Sequence, residues 1–238
     1  MARFYLPPDE WLAEPALRGD EARHVSQVLR AKPGDVVVIF DGQGRRASAE
    51  ILAISRDRVA LKLGEIQPHH PPQPAITLAQ AIPKGKNMDL IVQKSVELGV
   101  TVIQPLVTRH TVVQPGDGKS EKWRRVAIEA CKQCGQDTLP AISEPLTFDR
   151  WISGQAEIPG LKLIASLASG AQPLRDVLHQ HPATVQATLL IGPEGDFSAT
   201  ETTAALAAGF IPVSLGSIVL RVETAAIFCL SALRYEFE

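Results

Sequence analysis

The fold class is decided by the stretch Leu189-Leu190-Ile191-Gly192-Pro193-Glu194-Gly195-Asp196-Phe197-Ser198 of this 238-residue chain. It opens with an apolar run, turns at two glycines, and ends at Ser198, which forms an S-x-x-E capping box with Glu201 and so begins a helix. The glycines let the backbone approach a ligand closely. This order is typical of α/β sheets, whose ligands bind beyond the carboxyl ends of the strands. Alone, the stretch also fits an ordinary, well-capped β–α turn.

A second glycine loop favours the ligand-binding interpretation. It reads Leu215-Gly216-Ser217-Ile218-Val219-Leu220-Arg221-Val222-Glu223-Thr224-Ala225, and it also joins an apolar run to a helical pattern. Arg221 and Glu223 stand between an apolar strand and an apolar helix, where a purely structural loop would not need charges. Neither loop contains a Walker A or a G-x-G-x-x-G pattern, so the common nucleotide-binding folds fit poorly.

Around these loops, apolar runs alternate with helical patterns. The predicted strands are 76–82, 102–108, 163–167, 188–191 and 211–215. One predicted helix begins at Asn87 or Asp89 and ends at Gly99. A second is capped by Ser120 and runs to Cys134, with Gly135 after it, and a third covers 224–233. The alternation predicts a mostly parallel sheet with helices on both faces.

The first third of the chain has a different pattern. Strands are predicted at 36–40, 46–54 and 58–63, after a helix from Glu21 to Ala31 that Asp20 caps. Short strands in so few residues indicate a small barrel. Prolines crowd 65–74, where neither a helix nor a central strand can continue. We therefore predict a first domain over 1–68, a linker over 69–75 and a second domain over 76–238, and we interpret the adjacent histidines of the proline tract as linker rather than metal ligands.

Composition excludes several classes of protein. Hydrophobic residues make up 45% and charged residues 21%, as in globular domains. No apolar run approaches the roughly 18 residues of a membrane-spanning helix, and the N-terminus does not resemble a secretory signal, so a cytoplasmic protein is expected. Three cysteines make a disulfide framework improbable. Cys131 and Cys134 form a lone C-x-x-C inside a helical pattern, which we interpret as helix-face cysteines rather than a redox pair or half a zinc site, and no metal is predicted.

The charge is unevenly distributed along the chain. Its net value of -2 argues against a uniformly basic surface that coats nucleic acid. Residues 76–136, however, contain 9 basic and 5 acidic side chains, whereas 137–238 contain 5 basic and 11 acidic ones. This distribution allows a local phosphate-binding surface. A solvated helix face would give the same counts.

Together, the two glycine loops resemble the cofactor loops of SPOUT methyltransferases. The pattern Leu-Gly-x-x-x-Leu-Arg-x-Glu-Thr-Ala at 215–225, twenty residues after Ile-Gly-Pro-Glu-Gly, resembles the signature of the family that methylates N3 of a uridine in small-subunit ribosomal RNA. The resemblance extends over both domains in family order. Further matching stretches are 24–35, 84–89, Lys94 with 97–100, and 129–135 with Leu139-Pro140.

The resemblance implies a fold that periodicity does not suggest. In that family a PUA-like β-barrel precedes a trefoil-knotted SPOUT domain, and knots are almost absent from proteins. It further implies S-adenosylmethionine as the cofactor, a homodimer with each active site near the subunit interface, and 16S ribosomal RNA, in the assembled small subunit, as the partner. Two alternatives stay open: a SPOUT methyltransferase acting on another RNA nucleotide, and a non-catalytic RNA-binding ribosome assembly factor.

The same resemblance assigns site residues. The implied cofactor contacts are Leu167, Ile191, Gly192, Pro193, Glu194, Gly195, Leu215, Gly216, Ile218, Val219, Leu220, Thr224 and Ala225. The implied RNA contacts are His24, Arg30, Lys84, Lys86, Lys94, Arg109 and Gln133. His24 is equally compatible with a helix-face residue packed against the barrel.

Arg221 and Glu223 are the candidate catalytic residues. A uridine N3 is a poor nucleophile until its proton leaves, and charge then develops on the flanking base oxygens. Arg221 is suited to stabilise that charge, and Glu223 to orient Arg221 or to accept the proton. The structural alternative is an Arg221–Glu223 ion pair that only holds the loop.

Four residues, at three sites, depart from the family pattern. Asp196 stands where the family often has glycine, and aspartate tolerates the left-handed conformation. Gln136 replaces a usual arginine, and Ser217-Ile218 replaces a proline or asparagine followed by a basic residue.

Overall fold

The computed structural model describes residues 1–11, 14–70, 72–114, 116 and 118–237. The chain forms two compact units. The first contains Met1–Pro71 and Ile128–Leu139, and the second contains Pro72–Ala127 and Pro140–Glu238.

The first unit is a five-stranded sheet curled around its own core. Its elements are β1 (Arg3–Tyr5), β2 (Ala16–Arg18), α1 (Gly19–Arg23), β3 (Val36–Phe40), β4 (Arg45–Ile54) and β5 (Arg58–Pro68). The strand order is β1-β3-β4-β5-β2. Phe4, Ile39 and Ile51 are among the large side chains that are fully buried in this unit.

Two features of the first unit differ from the sequence expectation. The helix is shorter than predicted, because α1 passes into a π-helical turn at His24–Val28 and Arg30 adopts φ 51°. The last strand is longer, because β5 stays paired with β4 as far as the Arg45–Pro68 pair.

The segment Ile128–Leu139, placed by the sequence with residues 76–238, clusters with the first unit. Two ion pairs help to hold it there. Arg3 Nη2 lies 2.6 Å from Oδ1 of the buried Asp137, and Lys132 Nζ lies 2.9 Å from Oε1 of Glu21.

The second unit is built on an eight-stranded parallel sheet. Its strands are β6 (Ala75–Ala81), β7 (Val102–Val107), β8 (Ala141–Ile142), β9 (Leu146–Thr147), β10 (Leu161–Ala165), β11 (Gln172–Pro173), β12 (Gln186–Ile191) and β13 (Ile211–Ser214). They follow the order β11-β13-β10-β12-β6-β7-β8, with β9 also paired to β7.

The remaining helices alternate with these strands. They are α2 (Asn87–Glu97), α3 (Lys119–Cys134), α4 (Phe148–Ile152), α5 (Leu174–Gln180), α6 (Ala199–Ala207) and α7 (Val222–Phe237). Leu190 packs with α4 and α6 on one face of the sheet, whereas Leu189 and Ile191, which point to the opposite face, are also buried. The predicted parallel sheet covered on both faces is therefore confirmed.

The long elements of this unit lie where the sequence predicts them, within a few residues. Gly135 follows α3 with φ 88°, as expected for a helix stop. Ser120 does not cap α3, which begins at Lys119; its hydroxyl donates to the Glu144 carboxylate instead. The sequence pattern did not predict five short elements, because they contain too few residues for periodicity to identify. They are β8, β9, β11, α4 and α5.

Among the described residues, none of the helices combines the length and the hydrophobicity that a bilayer-spanning segment requires.

Candidate active site

The loops that follow β10, β12 and β13 line one cleft of about 660 Å³. Its walls come from 165–168, 191–194 with Asp196, and 214–223 with Ala225, and Asn87 of α2 borders it. The three strands are neighbours in a parallel sheet, so their carboxyl ends meet at one edge. This is the edge where α/β sheets bind ligands.

Most predicted cofactor residues line this cleft. They are Leu167, Ile191, Gly192, Pro193, Glu194, Leu215, Gly216, Ile218, Val219, Leu220 and Ala225. Gly195 lies instead in a neighbouring cavity. Thr224 is exposed in the first turn of α7 and is not part of the cleft wall.

The 192–196 turn depends on two special positions. Asp196 has φ 57°, and its Oδ1 accepts a 2.8 Å hydrogen bond from the Phe197 N–H, so aspartate does adopt the left-handed conformation here. A Cβ on Gly192 would lie 3.1 Å from the Phe197 ring, which leaves little room for any side chain. The predicted capping box between Ser198 and Glu201 is also present.

Arg221 and Glu223 are not paired with each other. The Glu223 Oε2 accepts a 3.1 Å hydrogen bond from the Asn87 side-chain amide. Arg221 is exposed, and within the described residues its guanidinium makes no ion pair or hydrogen bond. Its backbone carbonyl accepts the Ala225 N–H at 2.8 Å and so begins α7. This contact involves only the backbone, and within the described residues the alternative of an Arg221–Glu223 ion pair does not form.

The predicted RNA contacts are placed as follows. In the first unit, His24 packs edge-on against Phe4 with ring centroids 5.8 Å apart, and Arg30 and Gln133 are exposed. In the second unit, Lys84, Lys86 and Arg109 are exposed in loops, whereas Lys94 is paired with Glu97 at 2.8 Å.

Two further residues reach the glycine loops without having been singled out from the sequence. Asn87 was identified as a possible helix start and lies in the matching stretch 84–89, but no site role was assigned to it. The His110 Nδ1 lies 2.9 Å from the carbonyl oxygens of both Gly195 and Asp196. The sequence position of His110 could have marked it as a site candidate, because it follows the carboxyl end of β7 at the same edge of the sheet.

The cysteines fit the helix-face interpretation. Cys131 is buried and Cys134 is exposed, and neither forms a disulfide. Burial, with a smaller contribution from Cys134, raises the pKa of the Cys131 thiol to about 12. A reactive redox cysteine requires a lowered pKa instead. Within the described ranges, no group of three or more His, Cys, Asp or Glu side chains could hold a metal ion.

Comparison with known proteins identifies the family. Residues 70–234 match the family model described as an RNA methyltransferase domain, and residues 17–64 match the one described as an RNA methyltransferase PUA domain. A Synechocystis protein named ribosomal RNA small subunit methyltransferase E is 33% identical over 94% of this chain and 74% of its own length. The chain belongs to the ribosomal RNA small subunit methyltransferase E family.

Solved structures of methyltransferases share the whole fold. The ribosomal RNA small subunit methyltransferase E of Neisseria gonorrhoeae, bound to S-adenosyl methionine, aligns with a TM-score of 0.88 at 32% identity, over 100% of this chain and 98% of that one. A Legionella pneumophila methyltransferase in complex with the same cofactor aligns with a TM-score of 0.87 at 34% identity, over 99% and 97%. The predicted family, the SPOUT-type fold and the PUA-like first domain are confirmed.

Proposed function

We propose that this protein transfers the methyl group of S-adenosylmethionine to N3 of a uridine in 16S ribosomal RNA. The observation that carries the proposal is the three-loop cleft, with an exposed Arg221 and an Asn87-held Glu223 at its border. The relatives support it, because they are named small-subunit ribosomal RNA methyltransferases and two similar structures hold this cofactor.

The cleft fits S-adenosylmethionine. Leu167, Ile218 and Val219 are 66%, 77% and 71% exposed, although large apolar side chains normally avoid water, and all three line this cleft. They offer apolar contact for the adenine ring. Gly216, with φ 118° and open space where a Cβ would be, leaves its backbone accessible to the polar parts of the cofactor.

The residues of this chain have two chemical tasks. When bound, the cofactor supplies an electrophilic methyl group on its sulfonium centre. In this proposal the Arg221 guanidinium, which lines the cleft, stabilises the charge that develops on the uridine oxygens as N3 loses its proton. The Glu223 carboxylate is oriented by Asn87 rather than by Arg221, which supports a role as the acceptor of that proton.

Replacing Glu223 by glutamine tests the proton-acceptor role. We expect Glu223→Gln to lower kcat about 100-fold, because a neutral amide accepts no proton while its oxygen can still receive the Asn87 hydrogen bond. The affinity for S-adenosylmethionine, measured by calorimetry, should stay unchanged.

The matched control is Asn87→Ala, which leaves the carboxylate in place but unoriented. It should reduce kcat less than Glu223→Gln does. Full activity of Glu223→Gln in single-turnover assays would eliminate Glu223 as the proton acceptor.

The proposed reaction is tested by mass spectrometry of nucleosides from small-subunit ribosomal RNA, in cells with and without the gene. N3-methyluridine should disappear with the gene and return with the wild-type protein. If another methylated nucleoside disappears instead, the enzyme acts on a different nucleotide; if none changes, the assembly-factor alternative is favoured.

We further propose that the protein is a cytoplasmic enzyme of ribosome maturation whose substrate is the assembled small subunit. In vitro, we therefore expect the assembled small subunit to be methylated faster than naked 16S RNA.

We further propose that the protein is a homodimer. An exposed stripe on α7 supports this, since Thr224, Phe228, Ser231 and Tyr235 recur at the spacing of one helix face. Phe228 and Tyr235 are 46% and 90% exposed. A second copy of this chain, bringing the same stripe, would cover both aromatic rings.

A charge placed in this stripe should break the dimer. We expect Phe228→Glu to convert the protein to a monomer in sedimentation equilibrium, because a carboxylate would be buried without a partner. Leu206→Glu on α6 is the matched control, since Leu206 is also 46% exposed but lies outside the stripe. Equal masses for Phe228→Glu and the wild type would contradict this interface.

A further inference from the structure

A second cavity, of about 500 Å³, adjoins the same glycine loop. Lys84, the 109–112 loop after β7, Glu194 and Gly195 line it. We refer to it as the basic cavity, because Lys84, Arg109 and His110 all contribute to its wall. Glu194 also lines the three-loop cleft that we propose binds S-adenosylmethionine, which we call the cofactor cleft. The two spaces therefore share a wall.

Lys84 and Arg109, the two cations of the basic cavity, are held by backbone hydrogen bonds, and their charged groups are available to a ligand. The Lys84 N–H donates to the Glu194 carboxylate at 2.9 Å, and the Arg109 N–H donates to the Glu201 carboxylate at 2.8 Å. In the described part of the chain, neither charged group makes an ion pair or hydrogen bond. Lys94 and Lys122, by contrast, are both paired with carboxylates.

The third basic residue has a defined tautomer. Carbonyl oxygens only accept hydrogen bonds, so the His110 Nδ1 that faces the Gly195 and Asp196 carbonyls must carry a proton. In the neutral ring, Nε2 is then a hydrogen-bond acceptor. An acceptor beside two cations matches a ribose 2′-hydroxyl next to a phosphate, and the 2′-hydroxyl is the group that distinguishes an RNA backbone from DNA.

We propose that the basic cavity binds a ribose-phosphate unit of the RNA strand beside the nucleotide to be methylated. Lys84 and Arg109 pair with the phosphate, and the His110 Nε2 accepts from the 2′-hydroxyl. This inference rests on the proposed function for its choice of RNA. The shared Glu194 wall keeps the bound backbone next to the cofactor cleft, so the subsite would direct the adjacent nucleotide into it.

The phosphate contacts are tested by fluorescence anisotropy with a short uridine-containing RNA and the full chain. At moderate salt, Lys84→Ala and Arg109→Ala should each weaken RNA binding about tenfold and reduce the slope of log affinity against log salt by about 0.7. Lys122→Ala, which removes a lysine already paired with Asp89, should change neither quantity. The affinity for S-adenosylmethionine should stay the same in all three variants.

The 2′-hydroxyl contact is tested with His110→Asn and a DNA strand of the same sequence. The asparagine amide can still donate to the loop carbonyls but offers no acceptor at the Nε2 position. We expect this variant to keep its cofactor affinity and to lose several-fold of the preference for RNA over DNA.

Different outcomes separate the subsite from the reaction. Unchanged RNA affinity and salt slope in both Lys84→Ala and Arg109→Ala would overturn the subsite. Competition by millimolar inorganic phosphate that abolishes the difference between wild type and these variants would show a free-anion site and overturn the RNA assignment. If the variants lose RNA affinity but the wild type forms no N3-methyluridine, the subsite is supported and the proposed reaction fails.

Discussion

Arg221→Ala is expected to lower kcat for methyl transfer about 100- to 1,000-fold, the usual effect of removing a group that stabilises transition-state charge. The guanidinium is exposed at the cofactor cleft and, within the described residues, has no partner to lose. The loop should keep its conformation, because the contact that begins α7 uses the Arg221 backbone carbonyl and the Ala225 N–H. The affinity for S-adenosylmethionine should therefore change by less than about threefold.

Single-turnover methylation with a labelled methyl group measures this effect without interference from product release. Arg221→Lys is the matched control, since it keeps the positive charge but loses the planar fork that can contact a base oxygen with two donors. It should retain more activity than the alanine variant. Wild-type rates in Arg221→Ala would remove Arg221 from the chemical step and leave it, at most, a part of the RNA surface.

Arg234→Met is expected to cause the largest loss of stability, about 4 kcal/mol, because hydrogen bonds to a charged group contribute about 1.5–3 kcal/mol each. Arg234 is 6% exposed near the end of α7. Its Nε donates to the Leu98 carbonyl at 2.7 Å, its Nη1 to the Pro74 carbonyl at 3.1 Å, and its Nη2 to the Gly99 carbonyl. The side chain thus joins the last helix to the start of β6 and the end of α2. Methionine would leave two buried carbonyls and one partly buried carbonyl without these donors.

Denaturant unfolding followed by circular dichroism measures the free energy of unfolding. Arg175→Met is the matched control, because the Arg175 side chain is 80% exposed, and it should change stability by less than about 0.5 kcal/mol. A loss below about 1 kcal/mol for Arg234→Met would mean that water satisfies the three carbonyls, so that the side chain is not a structural anchor.

The meeting of the two glycine loops at one edge of the sheet could be predicted from the sequence for a physical reason. The two glycine loops each follow an apolar run and precede a helix, and parallel strands bring such loops to one edge. The capping box at Ser198 and the helix stop at Gly135 were also predictable, because each depends on contacts within one helical turn.

The partners within the site could not be predicted in this way. Periodicity identified Asn87 only as a possible helix start, yet its amide binds Glu223, 136 residues away. The separation along the chain is also why the sequence did not indicate the contact of His110 with the Gly195 carbonyl, 85 residues later. Periodicity and strand order do not specify which side chains of distant segments pair, so the structure was needed to show that Glu223 pairs with Asn87 and not, as in the structural alternative, with Arg221.

The sequence by itself determined the α/β class of the second unit, its long strands and helices and the two glycine loops, since these depend on local periodicity and turn chemistry. The motifs, in their family order, indicated the family and the fold that it implies. Only the tertiary structure decided that Ile128–Leu139 clusters with the first unit, that Arg234 binds carbonyls up to 160 residues away, and that a basic cavity shares a wall with the cofactor cleft. These features arise from hydrogen bonds, ion pairs and burial between segments far apart in the chain. Their geometry is set when the chain packs, not by the residues next to them in sequence.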